Sequence, residues 1–329
     1  MNSHKVLLIG CGQLGSRHLQ AIARLPEISQ IHVIDPNPEA LALGKRRLSE
    51  IDTVHPPDNV EWHTSPDKSC HNGSLCIVAT QAPGRVERIK EAAEGLGYRR
   101  FLIEKIVTQS VAEYQDLLGF SNERGMSVWV NCQLRTFDIY RHIKERLAPG
   151  EPIIFSRIGG NQGLANNGAH TADLFLFLDG SNRIEFVGAR IDPVLHPSRR
   201  NPDISDLSGA LYGKTAKGSD FMLAFSGFSK TSAHITVLGG KSKFMVSHFQ
   251  NWAYESCEKD DWQWKPIAVK QNMHVSHTTT TFAGDILSDN RCSLPTLAEC
   301  LPAHEFILTS LLPTFNELTE KSSLRCPVT

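Results

Sequence analysis

Residues 5–15, KVLLIGCGQLG, constrain the fold more than any other stretch of the chain. Val6, Leu7, Leu8 and Ile9 are consecutive apolar residues, mostly strand formers, a pattern that fits a parallel strand buried on both faces. Gly10, Gly12 and Gly15 follow at the G-x-G-x-x-G spacing. In that pattern the first glycine permits a tight turn, the second lets a pyrophosphate approach the backbone, and the third lets the next helix pack against the strand. The spacing predicts that helix over 13–25, with Leu14, Ala21, Ile22 and Leu25 on one face and Pro26 ending it. A second strand over 31–34 leads to Asp35, twenty residues after Gly15. A carboxylate there can accept hydrogen bonds from both ribose hydroxyls of an adenine nucleotide.

Strand, glycines, helix, strand and acidic residue in this order predict a dinucleotide site built from Gly10, Gly12, Gln13, Leu14, Gly15 and Asp35. The alternative is a βαβ unit whose glycines serve packing alone. Asp35 would repel a 2′-phosphate and is followed by Pro36, Asn37 and Pro38 rather than by an arginine. NAD is therefore the expected cofactor, with NADP as the alternative if Arg17 reaches the phosphate.

Alternating strand and helix patterns continue to residue 130. Helices are expected over 39–50, 84–96 and 111–124, and strands over 60–62, 75–79, 100–103 and 126–130. This is the grammar of a doubly wound parallel sheet, so the fold class is an α/β Rossmann domain followed by something else. Thr80, after the third strongly apolar strand, and Glu104-Lys105, after the next, stand at carboxyl strand ends, where open α/β sheets bind ligands. Beyond residue 130 the pattern changes. Helices are expected over 137–147 and 169–178, with a glycine- and asparagine-rich loop over 159–168 between them. Six strands without intervening helices follow, over 186–191, 209–212, 221–225, 234–238, 244–249 and 266–269, and helices over 281–287 and 296–312 close the chain. The second part is thus expected to be α+β, with a large open, mainly antiparallel sheet. The expected domains are 1–130 for the dinucleotide and 131–329 for substrate binding and oligomerisation, the C-terminal helix packing back on the first domain.

Composition narrows the function classes. The 329 residues suffice for two cores, and 34 basic against 35 acidic residues leave a formal charge of −1 with no basic block, which argues against nucleic acid or an anionic membrane as partner. The run Leu174–Leu178 is far shorter than the ~18 residues of a membrane span, and MNSHK leads directly into the first strand, so a cytoplasmic protein is expected. Eight scattered cysteines lack a C-x-x-C pair. The nearest approach to a metal cluster, His63, Cys70, His71 and Cys76, fits no common zinc spacing, and no metal is expected.

Lys105 can hold a cofactor ribose and a substrate oxygen while stabilising charge on a carbonyl that accepts hydride. The competing reading is a solvated pair at a strand end. His170 can exchange a hydroxyl proton near neutral pH, although a helix-start histidine is as often a packed residue. Asn161, Gln162, Asn166 and Asn167 on one side, with Asn131, Gln133 and Arg135 on the other, offer amides and one guanidinium to a ligand rich in hydroxyls.

A dinucleotide domain reaching residue 130, a Glu-Lys pair ending its fifth strand, and the G-x-H-x-x-D of Gly168, His170 and Asp173 together resemble the Gfo/Idh/MocA oxidoreductase family. The resemblance spans essentially the whole chain. It implies Lys105 as the catalytic lysine and His170 as the catalytic histidine, with Asp173 and the 131–140 segment (Asn131, Arg135, Tyr140) on the substrate side. Ile106 stands where the family has proline after the lysine. Asn166 stands where many of its dehydrogenases have aspartate, and amino-sugar members are similar in having asparagine there. The implied function is hydride transfer to or from a ring carbon of a sugar derivative, amino or acidic, free or nucleotide-linked. The implied partner is a second copy of the chain, as a homodimer or homotetramer through the second-domain sheet. A non-catalytic nucleotide-binding module and a bilin or imine reductase on the same fold are the alternatives.

Overall fold

The computed structural model describes residues 3–52, 59–160, 163–198, 201–269 and 274–329. The chain divides into two compact units. The first comprises Met1–Thr108, Glu113–Asn131 and Asn272–Ala298, and the second Gln109–Ala112, Cys132–Gln271 and Glu299–Thr329.

In the first unit, β1 (His4–Ile9), β2 (Ile28–Ile34), β3 (Val60–His63), β4 (Leu75–Val78), β5 (Arg100–Ile103) and β6 (Ser127–Val130) form one sheet. Its order is β3-β2-β1-β4-β5-β6 and every pairing is parallel. Val6, Leu7 and Leu8 of β1 and all of β4 are buried, because a central parallel strand has no solvent face. Strand order reverses between β1 and β4, which places the ligand crevice of such sheets beyond their carboxyl ends. Helices α1 (Gly15–Ile22), α2 (Pro38–Leu48), α3 (Arg85–Glu94) and α4 (Val111–Glu123) connect the strands. α1 is shorter than its apolar spacing predicts: its first turn begins only after the glycine turn, and Ala23 caps it.

In the second unit, α5 (Asp138–Arg146), β7 (Ile154–Gly160) and α6 (Asn166–Asp179) precede β8 (Glu185–Ile191), and the short ribbon β9 (His196–Pro197) with β10 (Ser205–Asp206) follows. Then come β11 (Gly209–Lys214), β12 (Asp220–Ser226), β13 (His234–Leu238), β14 (Ser242–Ser247), β15 (Trp252–Cys257) and β16 (Lys265–Ile267). The eight-stranded sheet runs β16-β15-β14-β13-β7-β12-β11-β8. All its pairings are antiparallel except β7 with β12. Helices α7 (Val275–Asp289) and α8 (Leu297–Thr319) complete the chain.

α7 belongs to the first unit, where Phe282, Ala283, Ile286 and Leu287 join the core around Leu19, Ile22 and Val33. A single cut after residue 130 therefore does not describe the chain, and residues 299–319 of the C-terminal helix lie in the second unit.

β7 and β15 are strands that the sequence pattern hides. Arg157 occupies an inward position of β7 and interrupts its apolar alternation, yet it is 1% exposed. Regular structure takes both ends of the expected 159–168 loop: Gly159 and Gly160 end β7, and Asn166, Asn167 and Gly168 open α6. Asn161 and Gln162 lie outside the described residues.

Phe221, Leu223, Phe225, Phe244 and Val246 are all buried, and Phe155, Phe175 and Phe221 pack together at 5.2–5.9 Å between ring centroids. Period-two alternation puts a different set outside. Tyr254, Met245, Thr236, Ser156, Met222 and Tyr212 pair in register across six strands. Ile154, Ile158 and Leu238 stand exposed on the same side.

Candidate functional site

The three glycines of the β1–α1 turn have separable roles. Gly10 has φ +88°, and a Cβ there would stand 2.9 Å from the Thr80 nitrogen. A Cβ on Gly15 would meet the Gly10 carbonyl oxygen at 1.8 Å, so α1 can sit against β1 only with glycine there. A Cβ on Gly12 would meet nothing within 4 Å, so packing within the protein does not require glycine at that position.

Asp35 follows β2. Its carboxylate accepts from the Cys11 amide at 2.7 Å and the Asn37 amide at 2.9 Å, which fixes it beside the glycine turn. Burial, with the Asp35 charge, pushes the Cys11 thiol up to about 12, so this cysteine is an inert packing group. Arg47 of α2 donates to the Gln13 carbonyl at 2.6 Å and to Ser16 Oγ at 2.7 Å, closing the turn from the far side. Leu14 caps α1 and is half-buried. Arg17 hydrogen-bonds Gln20 at 2.7 Å.

At the β4 and β5 ends, Thr80 stands against Gly10, and its hydroxyl is buried with no hydrogen-bond partner among the described residues. Arg85 opens α3 and is 1% exposed. It donates to the carbonyls of Glu104 (2.8 Å), Ile106 and Thr80, bracing both strand ends at once. Burial lowers its pKa to about 10, so it stays charged at neutral pH. The buried Glu104 carboxylate accepts from His18 Nε2 at 2.9 Å and from Asn131 Nδ2 at 2.5 Å. Burial alone would raise its pKa, but these donors and the charge of Lys105 outweigh it and hold the carboxyl below the usual range. With Nε2 carrying the His18 proton, its Nδ1 faces Thr279 Oγ1 at 2.9 Å as acceptor. Glu104 is thus the fixed base of the turn that carries half-buried Lys105. Asn131, expected on the substrate side, is a buried partner of Glu104. The Lys105–Ile106 peptide bond is cis.

In the second unit, Asn166, His170 and Asp173 fall on one face of α6 by their i, i+4 and i, i+7 spacing. Asp206 receives the Ala165 and Asn166 amides at 2.8 and 2.9 Å, so a carboxylate from β10 caps the helix and brings Asn166 into its first turn. Asn166 is exposed, Asn167 and His170 half-buried. Arg135, expected to meet a substrate anion, holds Asp173 bidentately at 2.9 and 2.5 Å. Its planar fork suits this pairing, and Asp173 is wholly buried. Burial pushes Asp173 up to about 6 against the pull of Arg135.

No family model matches the chain, and no curated protein matches it in sequence. Solved structures match along nearly its whole length. A Gfo/Idh/MocA family oxidoreductase from Vibrio cholerae is 15% identical with a TM-score of 0.70, over 96% of this chain and 99% of that one. The chain has the Gfo/Idh/MocA fold. UDP-N-acetylglucosamine 3-dehydrogenase from Acidithiobacillus ferrooxidans matches at 17% identity and TM-score 0.71, over 95% and 97% of the two chains. A 3-ketoreductase from Actinomadura kijaniata, in complex with NADP and TDP-benzene, matches at 16% and 0.71, over 93% and 96%. At such identities the likeness is one of fold.

Within this Gfo/Idh/MocA fold, His18, Arg85 and Asp206 are the residues that sequence reasoning missed. Only Arg85 left a local signal, a charged residue opening the helix that follows an apolar strand. Among the described residues no helix is long and apolar enough to cross a membrane.

Proposed function

We propose that the chain is an NAD(P)-dependent oxidoreductase that moves a hydride to or from a ring carbon of a sugar derivative. Gly12 carries the reading. Gly10 and Gly15 are explained by the turn and the packing of α1, whereas Gly12 has open space around it and is explained by a pyrophosphate approaching the backbone. Gly10 to Gly15 and Asp35 would hold the adenosine half, and Thr80, Glu104 and Lys105 belong to the nicotinamide end. When bound, the nicotinamide supplies the hydride donor or acceptor. Lys105 stabilises charge on the substrate oxygen, and His170 takes the hydroxyl proton on oxidation or returns it on reduction.

Asn166 and Asn167 offer amides that donate and accept together, which suits hydroxyl and acetamido groups. Arg135 is engaged by Asp173 rather than open to a substrate anion, which favours a neutral amino-sugar derivative, free or nucleotide-linked. The known activities of the sugar-nucleotide dehydrogenase and the ketoreductase of this fold support the same class. Following nicotinamide absorbance with a panel of nucleotide sugars, free amino sugars and apolar ketones tests it. Turnover confined to apolar ketones would overturn the substrate class.

Asp35 predicts tighter binding of NADH than of NADPH, since its carboxylate opposes a 2′-phosphate. Asp35→Ser should narrow that difference. Titrations in which NADPH binds the wild-type chain more tightly would contradict the assignment.

The outer face of the eight-stranded sheet, with Tyr254, Met245, Met222, Tyr212, Ile154 and Ile158, is the expected contact with a second copy. Exposed apolar residues gathered on one sheet face mark interfaces, and closed symmetry gives a dimer or tetramer. Sedimentation should find such a species at micromolar concentration, and Ile154→Glu should dissociate it. A monomer in the wild type would refute the contact.

A further inference from the structure

Away from the glycine turn, the parallel register gathers a second set of chemistry-bearing side chains at the edge of the first sheet. His32 pairs with Glu61 and Ile34 with His63 across β2 and β3. Alternate strand residues share a face, so His32, Glu61 and His63 fall together. His32 Nδ1 lies 3.1 Å from His63 Nε2, and Glu61 Oε2 lies 3.5 Å from the first and 3.7 Å from the second. The single 3₁₀ turn Lys68–Cys70 adds the buried Cys70. One donor atom from each of His32, His63 and Cys70 lies within 4.8 Å of the others. Sequence spacing groups His63 and Cys70 with His71 and Cys76; the fold supplies His32 instead, from a strand far away in the chain.

Metal–nitrogen bonds of about 2.0 Å and metal–sulfur bonds of about 2.3 Å imply donor separations of roughly 3.3–3.7 Å around a tetrahedral ion. The triangle of His32, His63 and Glu61 already has nearly that size. The two imidazoles share a hydrogen bond with the Glu61 carboxylate beside both, and a metal ion would take the place of the shared proton. The outer contacts fit as well. His63 Nδ1 faces Asp67 Oδ2 at 3.1 Å, the carboxylate–imidazole arrangement that orients metal-bound histidines. Asp67 is itself held by the Ser69 amide at 2.8 Å. Among the described residues, His32 Nε2 is buried without a hydrogen-bond partner, and Nδ1 makes this imidazole's polar contacts, to His63, Glu61 and Ser69 Oγ. Glu61 is 40% and His63 11% exposed, which leaves an approach from solvent.

We infer that this cluster is a binding site for a divalent transition metal of the zinc class, ligated by His32 Nδ1, His63 Nε2 and Cys70 Sγ, with solvent as the fourth ligand. A thiolate with two imidazoles selects zinc-like ions over magnesium or calcium. Bound metal would fasten the edge strand β3 and the turn after it to β2. The inference stands apart from the oxidoreductase reading, and its test does not use activity.

The full chain, stripped with a chelator, is titrated with Co²⁺ and then with Zn²⁺. One equivalent of Co²⁺ should bind, giving the visible bands of a tetrahedral ion and a near-ultraviolet thiolate charge-transfer band, and Zn²⁺ should displace it. Cys70→Ser should abolish the charge-transfer band, while Cys292→Ser, at a half-exposed cysteine outside the cluster, should keep it. His63→Ala should abolish stoichiometric binding. Asp67→Asn, at an exposed position and with an amide oxygen that can still accept from the Ser69 amide, should weaken binding about 10–100-fold. No saturable Co²⁺ or Zn²⁺ binding by the wild type, or binding unchanged in both Cys70→Ser and Asp67→Asn, would overturn the site.

Discussion

Replacing Lys105 with alanine is expected to lower turnover about 10²–10⁴-fold while NADH affinity changes little, and His170→Ala is expected to do the same. The cofactor is assigned mainly to Gly10–Gly15 and Asp35, whereas these two side chains are assigned to the reacting oxygen and its proton. Lys105 stands on a turn whose carbonyls are braced by Arg85 and whose neighbour Glu104 is bonded by His18 and Asn131. Truncating its side chain leaves that frame in place. His170 stands on a helix whose start is capped by Asp206 through backbone amides, which the substitution does not touch. Steady-state rates with an active substrate, read beside a cofactor titration, separate the two effects. Unchanged rates in both variants would remove the pair from the chemistry. Lost cofactor binding in both would make them structural instead.

The second large effect distinguishes two glycines three residues apart. Gly15→Ala forces a methyl group to 1.8 Å from the Gly10 carbonyl oxygen, so α1 must move off β1. Overpacking of this kind costs about 1–3 kcal/mol or more, and the displaced turn should lose NADH binding as well. Gly12→Ala meets no atom within 4 Å. It should leave the melting temperature nearly unchanged and still weaken NADH binding by about tenfold or more, an affinity change of about 1.4 kcal/mol per decade. Thermal melts and titrations of the two variants give the comparison. Equal NADH affinity in Gly12→Ala and wild type would return this glycine to the packing role and remove the observation that carries the functional reading.

The first unit was legible because its signals are local. β1, the glycine turn and Asp35 lie within a short stretch, and a buried parallel strand announces itself as an apolar run. The second unit was legible only as a class. Its inward phenylalanines mark strands without telling which face they occupy, and Arg157 disguises β7. The start of α6 depends on Asp206, far along the chain, so a stretch rich in glycine and asparagine read as loop. Arg135 shows the same limit: its residue type suits a substrate anion, but the partner that takes it, Asp173, is fixed by tertiary placement. His18 and Arg85 likewise acquire their roles from strand ends that the sequence does not place beside them. His32 joins His63 and Cys70 through strand register, which motif spacing cannot encode.

Calorimetric titration of the purified full chain with NADH tests the central claim most directly. Saturable binding of one NADH per chain, weakened in Gly12→Ala and in Asp35→Ala, is the predicted result. A folded wild-type chain that binds neither NADH nor NADPH would contradict the account at its root.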